Sequence, residues 1–311
     1  MKVFVTGATG FIGSAVVKDL RESGHEVIGL ARSDAGAAKL AQAGAQTLRG
    51  SLDDLDILKA GAAAADGVIH LAFGHTFPAI LFSAGRDVRA IDALGSALAG
   101  TNKPLVAAGA ILGLRTGQEL TEDFRPDYRK VPRRSERAVL AWAGRGVRAA
   151  IVRLAPSVHG EGDKGFAAWI VSAARKNRAA HYVGDGHHRW AAVHRLDAAP
   201  LFRMALERGA AGGVYQGVSD EGLPFRRIAE TVGRGLKVPT RSKSQFGALL
   251  SMGFLGLLAG IDAPASNHLT RQELGWVPRH PGLLDDLEAG FYLEDEASPA
   301  KPQPSARSNR F

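Results

Sequence analysis

The 311-residue chain contains no cysteine, so disulfide bonds and thiolate metal sites are excluded. This agrees with a reducing cytoplasm, where we expect the protein to reside. The opening residues, MKVFVTGATG, lack the features of a secretory signal peptide. The longest apolar run, Phe246 to Ile261, is shorter than the roughly 18–20 residues that a membrane span requires. We therefore expect no membrane partner and interpret this run as a buried helix or a lid over a ligand.

The charge balance is basic, with 39 Lys and Arg residues against 31 Asp and Glu residues. The arginines are scattered along the chain, and several fall in a loop from Arg125 to Arg137. Because no helix or strand concentrates them into a nucleic-acid-binding surface, we expect no nucleic-acid partner. A solvated basic surface that also binds a small anionic ligand is the interpretation that this pattern favours. The 45% hydrophobic content is ample for a core.

The first thirty residues predict a strand, a glycine turn, a helix and a second strand. Lys2 to Thr6 is a short apolar run, and Gly7 to Gly13 follows it directly. A helical pattern then runs to Glu22 and ends at Ser23-Gly24, where glycine suits the left-handed position after a helix. Glu26 to Ala31 is the next apolar run. This order is a βαβ unit with its glycine motif in the required place.

The alternation of strands and helices continues to about residue 160, which predicts a parallel, doubly wound α/β sheet of the Rossmann type. The predicted strands are 45–48, 67–72, 105–108 and 149–154, and the predicted helices are 54–64, 88–99 and 135–145. We assign residues 1–160 to this dinucleotide-binding core, with strands near 190–194 and 213–217 added to it. Residues 161–293 form a smaller, mainly helical substrate part, and 297–311 have the composition of a disordered tail.

The three glycines of the first turn have separate physical roles. Gly7 lets the chain turn sharply out of the strand, and Gly10 lets the backbone approach a pyrophosphate. Gly13 allows the helix to pack tightly on the sheet, while the free N–H groups of the helix face the phosphates. A glycine-rich turn without a ligand is the alternative. The cofactor-binding residues predicted for this turn are Gly7, Thr9, Gly10, Phe11, Ile12 and Gly13.

The end of the second strand predicts which dinucleotide binds. An acidic residue at this place is typical of NAD enzymes, and a basic residue is typical of NADP enzymes. The sequence here is Ala31-Arg32-Ser33, with no carboxylate before Asp34. Arg32 and Ser33 are therefore predicted to bind the 2′-phosphate of NADP(H), with NAD as the alternative cofactor. The competing interpretation of Arg32 is a surface arginine that follows a strand.

Six segments in order resemble the extended short-chain dehydrogenases/reductases, the group that contains sugar-nucleotide epimerases and dehydratases. The resemblance covers most of residues 1–290. It implies that Asp53, Leu71, Ala72, Pro156 and Val158 line the cofactor, and that His159 and Arg189 face the substrate. It also implies a homodimer paired through helices at 88–99 and 135–145. The segments are TGATGFIG at 6–13, Asp53, HLA at 70–72, VRLAPSVHG at 152–160, RWAAVHRLDAA at 189–199 and LGW at 274–276.

The catalytic positions of that family depart from its pattern. Its members use a Ser or Thr, a Tyr that exchanges the substrate proton, and a Lys one helical turn later. The matching positions here are Ala108, Pro132 and Glu136. The chain therefore looks like an atypical subgroup that retains the cofactor fold without the usual acid/base set.

A reduced carbonyl still needs a proton donor within hydrogen-bond reach. Tyr128 is the nearest phenol, although a surface-loop tyrosine is the competing interpretation. Glu136 is predicted either to accept hydrogen bonds from the nicotinamide ribose or to stabilise a helix N-terminus. Tyr128 and Glu136 are therefore the candidate catalytic residues. His159 stands where the family has a tyrosine, in a packing or a catalytic role.

Histidines 187, 188 and 194 match no metal-binding pattern, so no metal is expected. Three functions are consistent with the sequence. The first is an NADP(H)-dependent oxidoreductase that acts on a small apolar carbonyl or related substrate. The second is an NADP(H)-binding sensor or scaffold without turnover, which the missing catalytic set favours. The third is an epimerase or dehydratase with tightly held NAD, against which Arg32 and the absent tyrosine argue.

Overall fold

The computed structural model of the chain describes residues 1–73, 79–114, 118–131 and 133–293. Pro132 and the predicted tail 297–311 lie outside the described residues. The strands are β1 (Lys2–Thr6), β2 (Glu26–Ala31), β3 (Gln46–Arg49), β4 (Gly67–His70), β5 (Pro104–Ala110), β6 (Arg148–Leu154), β7 (Ser157–His159), β8 (Ala180–Val183), β9 (Arg189–His194), β10 (Gly213–Gly217), β11 (Asp220–Pro224) and β12 (Thr240–Lys243). The α-helices are α1 (Phe11–Glu22), α2 (Asp34–Gln42), α3 (Leu55–Ala63), α4 (Ala79–Leu98), α5 (Ser135–Leu140), α6 (Phe166–Asn177), α7 (Arg195–Arg208), α8 (Phe225–Leu236), α9 (Gln245–Met252), α10 (Phe254–Ala259), α11 (His268–Leu274) and α12 (Leu283–Glu288), and a 3₁₀ turn spans Ala143–Arg145.

Seven parallel strands form the central sheet in the order β10-β6-β5-β4-β1-β2-β3. Successive residues of a strand face opposite sides. Val3 and Val5 therefore pack in a core cluster with residues of α1 and α7, while Phe4 packs on the other side with residues of α3 and α4. Both faces are covered, which explains the continuous apolar strands. The predicted doubly wound α/β fold is confirmed.

One predicted strand lies elsewhere. Residues 189–194 (β9) do not join the central sheet but form the middle of a three-stranded sheet between β7 and β11. The edge of the central sheet beside β6 is occupied by β10, which covers the predicted strand 213–217. The short strand β7, just beyond β6, offers the free edge with which β9 pairs in parallel.

The region after residue 160 builds its own core cluster. Trp190 and Phe225 pack at its centre, with ring centroids 5.1 Å apart, and helices α6, α8, α9, α10 and α12 contribute to it. A two-stranded parallel sheet of β8 and β12 lies beside these helices. The division of the chain at residue 160 into a cofactor part and a substrate part stays a prediction.

Two helix boundaries differ from those predicted. Helix α4 begins at Ala79 rather than at residue 88, because its packing on α3 outweighs the low helix propensity of Gly85. Helix α5 ends at Leu140, and a 3₁₀ turn then leads to Gly146, whose φ of +70° requires glycine or a strained residue.

Helix α4 supplies a matched pair of glycines for testing the packing. A Cβ at Gly95 would lie 2.4 Å from the Trp142 ring, whereas a Cβ at Gly85 would meet nothing closer than 3.9 Å. We expect Gly95→Ala to reduce the free energy of unfolding by about 1–3 kcal/mol through overpacking. Gly85→Ala should stabilise by about 0.5–1 kcal/mol, because alanine is the better helix former. Urea unfolding of both variants measures this, and equal effects would contradict it.

Candidate functional site

The glycine turn between β1 and α1 is closed by contacts that leave no room for side chains. Gly7 has a φ of +69°, and a Cβ on it would lie 2.7 Å from the backbone nitrogen of Ala72 and 2.9 Å from the carbonyl carbon of Leu71. A Cβ on Gly13 would lie 2.0 Å from the carbonyl oxygen of Gly7. The turn therefore brings predicted cofactor residues from β1, α1 and the end of β4 into one place.

The N-terminus of α1 is open. Gly10 is its N-cap residue, has extended backbone angles, and offers no side-chain cap. Thr9 and Gly10 are exposed, while Phe11 and Ile12 are partly buried. The first N–H groups of an α-helix have no partner within the helix, so they are available to an anion here. A diphosphate fits this arrangement of bare backbone and positive helix dipole.

A cation that was not predicted from the sequence, Arg195, lies beside the glycine turn. The Arg195 guanidinium, at the start of α7, lies 4.9 Å from the centroid of the Phe11 ring. Its Nε is buried without a hydrogen-bond partner among the described residues. A buried donor without an acceptor is costly, so a ligand or a water is expected to accept its hydrogen bond.

Two arginines meet at the end of β2. Ala31 and Arg49 are register partners, and the Arg49 side chain donates to the carbonyl oxygen of Arg32 at 3.5 Å. Arg49 also pairs with Asp34 at 3.1 Å. Ser33 caps α2 by accepting a hydrogen bond from the Gly36 nitrogen at 3.2 Å. Arg32 is exposed and forms no ion pair within the described part of the chain, so its charge is available to a phosphate.

Asp53 lies in the loop after β3 and forms an ion pair with Arg86 of α4. More than half of its side chain is exposed. The pair joins the loop after β3 to α4, and the role of Asp53 at the cofactor stays a prediction.

A buried chain of hydrogen bonds, here called the polar chain, begins under the glycine turn. Thr6 Oγ1 lies 2.7 Å from Nδ1 of His70, and Nε2 of His70 lies 3.1 Å from Oδ1 of Asp87. The Ser135 hydroxyl donates to the other oxygen of Asp87, and Nε of Arg133 donates to the Ser135 oxygen at 2.9 Å. The polar chain thus connects the ends of β1 and β4 with α4 and the start of α5.

The polar chain ends at Ala108, the position that the resemblance matches to the family's serine. Nη2 of Arg133 donates to the carbonyl oxygen of Ala108 at 2.6 Å, and the guanidinium lies 4.1 Å from the centroid of the Phe73 ring. Burial lowers the pKa of Arg133, and the charge of Asp87 partly offsets this. Arg133 is nevertheless partly exposed, and its guanidinium lies against the carbonyl oxygen of Ala108 in β5.

Electrostatics hold the centre of the polar chain in its ionised form. Burial acts to raise the pKa of Asp87, but the hydrogen bond and charge of His70 and the hydroxyl of Ser135 outweigh it. The pKa of the carboxyl therefore lies below its usual range. As a carboxylate, Asp87 accepts from both neighbours and fixes the orientation of the polar chain.

The two predicted catalytic residues contact each other and a buried arginine. The two oxygens of Glu136 accept from Arg153 at 2.7 and 2.9 Å, and the Tyr128 hydroxyl donates to the same carboxylate at 2.8 Å. Burial and the charge of Glu136 raise the pKa of Tyr128 to about 12. The phenol is thus neutral at ordinary pH, and Glu136 has its lone pairs engaged. The catalytic role of either residue stays a prediction.

The predicted substrate residues lie apart from one another. His159 is fully buried, with Nδ1 2.6 Å from Asp286 and its ring edge-on to that of His194. Burial lowers the pKa of His194 to about 4, so this ring is uncharged at neutral pH. Arg189, at the start of β9, makes a two-point ion pair with Asp262, at 2.7 and 3.2 Å.

Pro156 and Val158 follow β6, whose end pairs with that of β5 at Leu154 and Ala110. Pro156 is buried and Val158 is partly buried. They therefore lie beside β5, the strand that carries Ala108. The resemblance implies that the nicotinamide binds at this end of the strands.

Five residues of this site were not predicted from the sequence, namely His70, Asp87, Arg133, Ser135 and Arg195. His70 belongs to the HLA segment of the resemblance, but its partner Asp87 lies 17 residues later. Asp87 is in α4, which was predicted to begin only at residue 88. A lone aspartate on an apolar helix face is the signal that could have identified it, because a buried carboxylate needs a partner. No group of three or more potential metal ligands occurs among the described residues. No helix in that part of the chain is long and apolar enough to cross a membrane.

The chain matches the NAD dependent epimerase/dehydratase family over residues 3–216, and it belongs to that family. It is 46% identical to an uncharacterized protein of Saccharomyces cerevisiae, over 94% of this chain and 100% of that one. It is 29% identical to a Stigmatella aurantiaca enzyme, 4-hydroxy-2-methyl-3-oxo-4-farnesyl-3,4-dihydroquinoline-1-oxide ketoreductase, over 92% of this chain and 96% of the other.

Among solved structures, the fold resembles that of DesIV, a dTDP-glucose 4,6-dehydratase of Streptomyces venezuelae with NAD bound. The TM-score is 0.74 at 19% identity, with 94% of this chain and 96% of that chain covered. The fold, the glycine turn and the family membership place the chain among the NAD(P)-binding epimerases, dehydratases and reductases.

The pair of Glu136 and Arg153 permits a test of whether Glu136 is structural. Arg153 is fully buried, so Glu136→Gln would leave its charge uncompensated. We expect a loss of about 3–5 kcal/mol in the free energy of unfolding. Tyr128→Phe removes one hydrogen bond and should cost about 1 kcal/mol. Urea unfolding measures both, and a nearly unchanged stability of Glu136→Gln together with loss of nucleotide binding would instead support the ribose role.

Proposed function

We propose that the protein is an NADP(H)-dependent oxidoreductase that reduces the carbonyl group of an apolar substrate. The observation that carries this proposal is the guanidinium of Arg133. It is oriented by the polar chain and points its charge at the end of β5, where the family places its catalytic hydroxyl group.

The residues of the crevice fit a dinucleotide. Backbone N–H groups at Gly10 to Gly13 would hold the diphosphate, with Arg195 beside them. Arg32 and Ser33 would contact the adenosine ribose and its 2′-phosphate, and Leu71 and Ala72 would border the nicotinamide half. When bound, the cofactor would supply the hydride for reduction of the carbonyl carbon.

Arg133 would act on the carbonyl oxygen of the substrate. Two of its nitrogens are assigned to Ser135 and Ala108, and Nη1 forms no hydrogen bond within the described part of the chain. This donor would bind the oxygen and stabilise the negative charge that develops during reduction. A guanidinium keeps its proton, so the hydrogen that completes the alcohol would come from water.

The apolar nature of the substrate rests on two observations. The segment 246–261, which we interpreted as a buried helix or a lid over a ligand, forms two helices whose inner residues Leu255 and Leu258 pack in the cluster of Trp190 and Phe225. The Stigmatella relative is a ketoreductase whose substrate carries a farnesyl group. An apolar substrate part of this kind suits an apolar ketone better than a sugar nucleotide.

A second candidate function is an NADP(H)-binding sensor without turnover. The observations that favour it are the alanine at position 108 and the engagement of Glu136 by Arg153. Position 108 then lacks the hydroxyl group, and position 136 the lysine, of the family's catalytic set. The nucleotide site is common to both candidates, so turnover decides between them.

The preference for NADP(H) can be tested at the end of β2. We expect Arg32→Ala to raise the Kd for NADPH about 10–100-fold, because a charge-assisted contact to the 2′-phosphate is lost. The Kd for NADH should be nearly unchanged. Arg208→Ala removes an exposed arginine from α7 and serves as the control. Isothermal titration calorimetry and the identity of any copurified nucleotide measure this. Tighter binding of NADH than NADPH by the natural protein would overturn the NADP(H) proposal.

The role of Arg133 can be tested by single-turnover and steady-state oxidation of NADPH with a panel of apolar ketones. We expect Arg133→Met to lower kcat by about 10²–10³-fold, because the developing charge loses its donor, with NADPH affinity nearly unchanged. The kcat of Arg133→Lys should lie between that of Arg133→Met and that of the natural protein. Arg134→Met, at the exposed neighbouring position, is the control.

Two results would contradict the proposal. Undiminished turnover in Arg133→Met would remove the role of the guanidinium. NADPH binding by the natural protein without oxidation by any ketone of the panel would favour the sensor.

A further inference from the structure

Six of the eight large hydrophobic side chains that are exposed in the described part of the chain lie in two segments, 164–184 and 231–261. Phe246 and Leu250 are the most exposed, at 69% and 73%. The other four are Trp169, Leu249, Phe254 and Leu257. Scattered single apolar residues are ordinary on a protein surface, but this concentration is not.

The exposed apolar residues share a side of two packed helices. Phe246, Leu249 and Leu250 are three and four residues apart on α9, and Phe254 and Leu257 are three apart on α10, so each set lies on one face of its helix. The helices touch closely, since a Cβ on Gly256 would lie 2.1 Å from the Ala248 carbonyl oxygen. Their inner residues are buried, and the outer residues form a ridge.

Basic residues surround this ridge. The segments 164–184 and 231–261 contain eight Lys and Arg residues and no Asp or Glu, and one of the eight, Arg234, pairs with Glu288 at 2.8 Å. The lysine and arginine side chains at 176, 178, 237, 241 and 243 form no ion pair within the described residues. We call the ridge and these residues the basic–apolar face.

Contacts place the two segments side by side. Strands β8 and β12 pair in register from Ala180 with Thr240 to Val183 with Lys243. The Asn177 side chain at the end of α6 donates to the carbonyl oxygen of Ser251 in α9 at 2.9 Å. The Lys243 side chain runs along the first turn of α9, where a Cβ on Gly247 would lie 3.6 Å from its Cδ. The positive charges therefore border the ridge.

The charge selects among the possible occupants of this face. A second copy of the chain would bring like charges together, which opposes self-association. Apolar side chains at the tip with lysines and arginines around them are the arrangement of interfacial helices, in which apolar groups enter the acyl boundary and cations contact lipid phosphates. From the sequence we expect no membrane partner, for want of a spanning segment, but contact through one face needs no span.

We propose that the basic–apolar face docks the protein peripherally on an anionic phospholipid bilayer. The outer residues of α9 and α10 enter the headgroup region, and the flanking lysines and arginines contact the phosphates. This proposal is independent of the nucleotide site and of turnover.

The test is cosedimentation of the full chain with vesicles of phosphatidylcholine, with and without phosphatidylserine. We expect binding to the phosphatidylserine vesicles that weakens as NaCl is raised. The triple variant Lys176→Ala, Arg241→Ala and Lys243→Ala should bind about 100-fold more weakly, because each lost charge weakens binding about fivefold. Phe246→Ser with Leu250→Ser should weaken it by about tenfold or more.

Matched controls separate the face from general effects. Lys39→Ala, Lys59→Ala and Arg208→Ala together remove the same charge from exposed positions outside the face, and Val277→Ser replaces an apolar residue that is 49% exposed. These variants should bind as the natural protein does. Thermal melting of every variant shows that each one is folded.

Three results would overturn the proposal. The first is no cosedimentation with phosphatidylserine vesicles, and the second is binding that the face variants leave unchanged. The third is a concentration-dependent dimer, seen by analytical ultracentrifugation, that Phe246→Ser with Leu250→Ser dissociates, since a second copy would then be the occupant.

Discussion

The close approach of the backbone at Gly7 is the constraint on which the rest of the crevice depends. The turn must pass within van der Waals contact of the chain at Leu71 and Ala72, and α1 must begin against the Gly7 carbonyl. Only glycine permits both contacts. The result is an uncapped helix N-terminus at the edge where parallel strands end, and every other candidate residue is positioned relative to that edge.

A second level of organisation comes from buried charge. Asp87 and Glu136 are both buried, and each is bound by groups from distant parts of the chain. The partners of Asp87 connect β1, β4, α4 and α5. Glu136 of α5 and its partner Arg153 of β6 are bound to Tyr128 and Phe124 of the segment 121–131. Because an unpaired buried charge is costly, these networks fix the positions of the loops around β5.

The sequence was informative where the signal is local or periodic. The glycine turn, the strands of the central sheet and the doubly wound architecture follow from spacing and apolar runs, and they agree with the fold. The pairing of β9 could not be foreseen, because its apolar pattern suits either sheet and the choice depends on which edge is free. The polar chain could not be predicted for a similar reason, since His70 and Asp87 become neighbours only when α4 packs beside β4.

A guanidinium in place of the family's hydroxyl groups would favour one direction of the proposed reaction. Oxidation of an alcohol needs a base that takes the hydroxyl proton, and Arg133 cannot accept one. Tyr128, with a pKa of about 12 and its hydroxyl committed to Glu136, is a poor base at neutral pH. Reduction asks only that the forming alkoxide be stabilised until water protonates it, which a fixed cation does well. The arrangement of Arg133 therefore favours carbonyl reduction over alcohol oxidation, and it disfavours epimerisation, which requires both directions in one site.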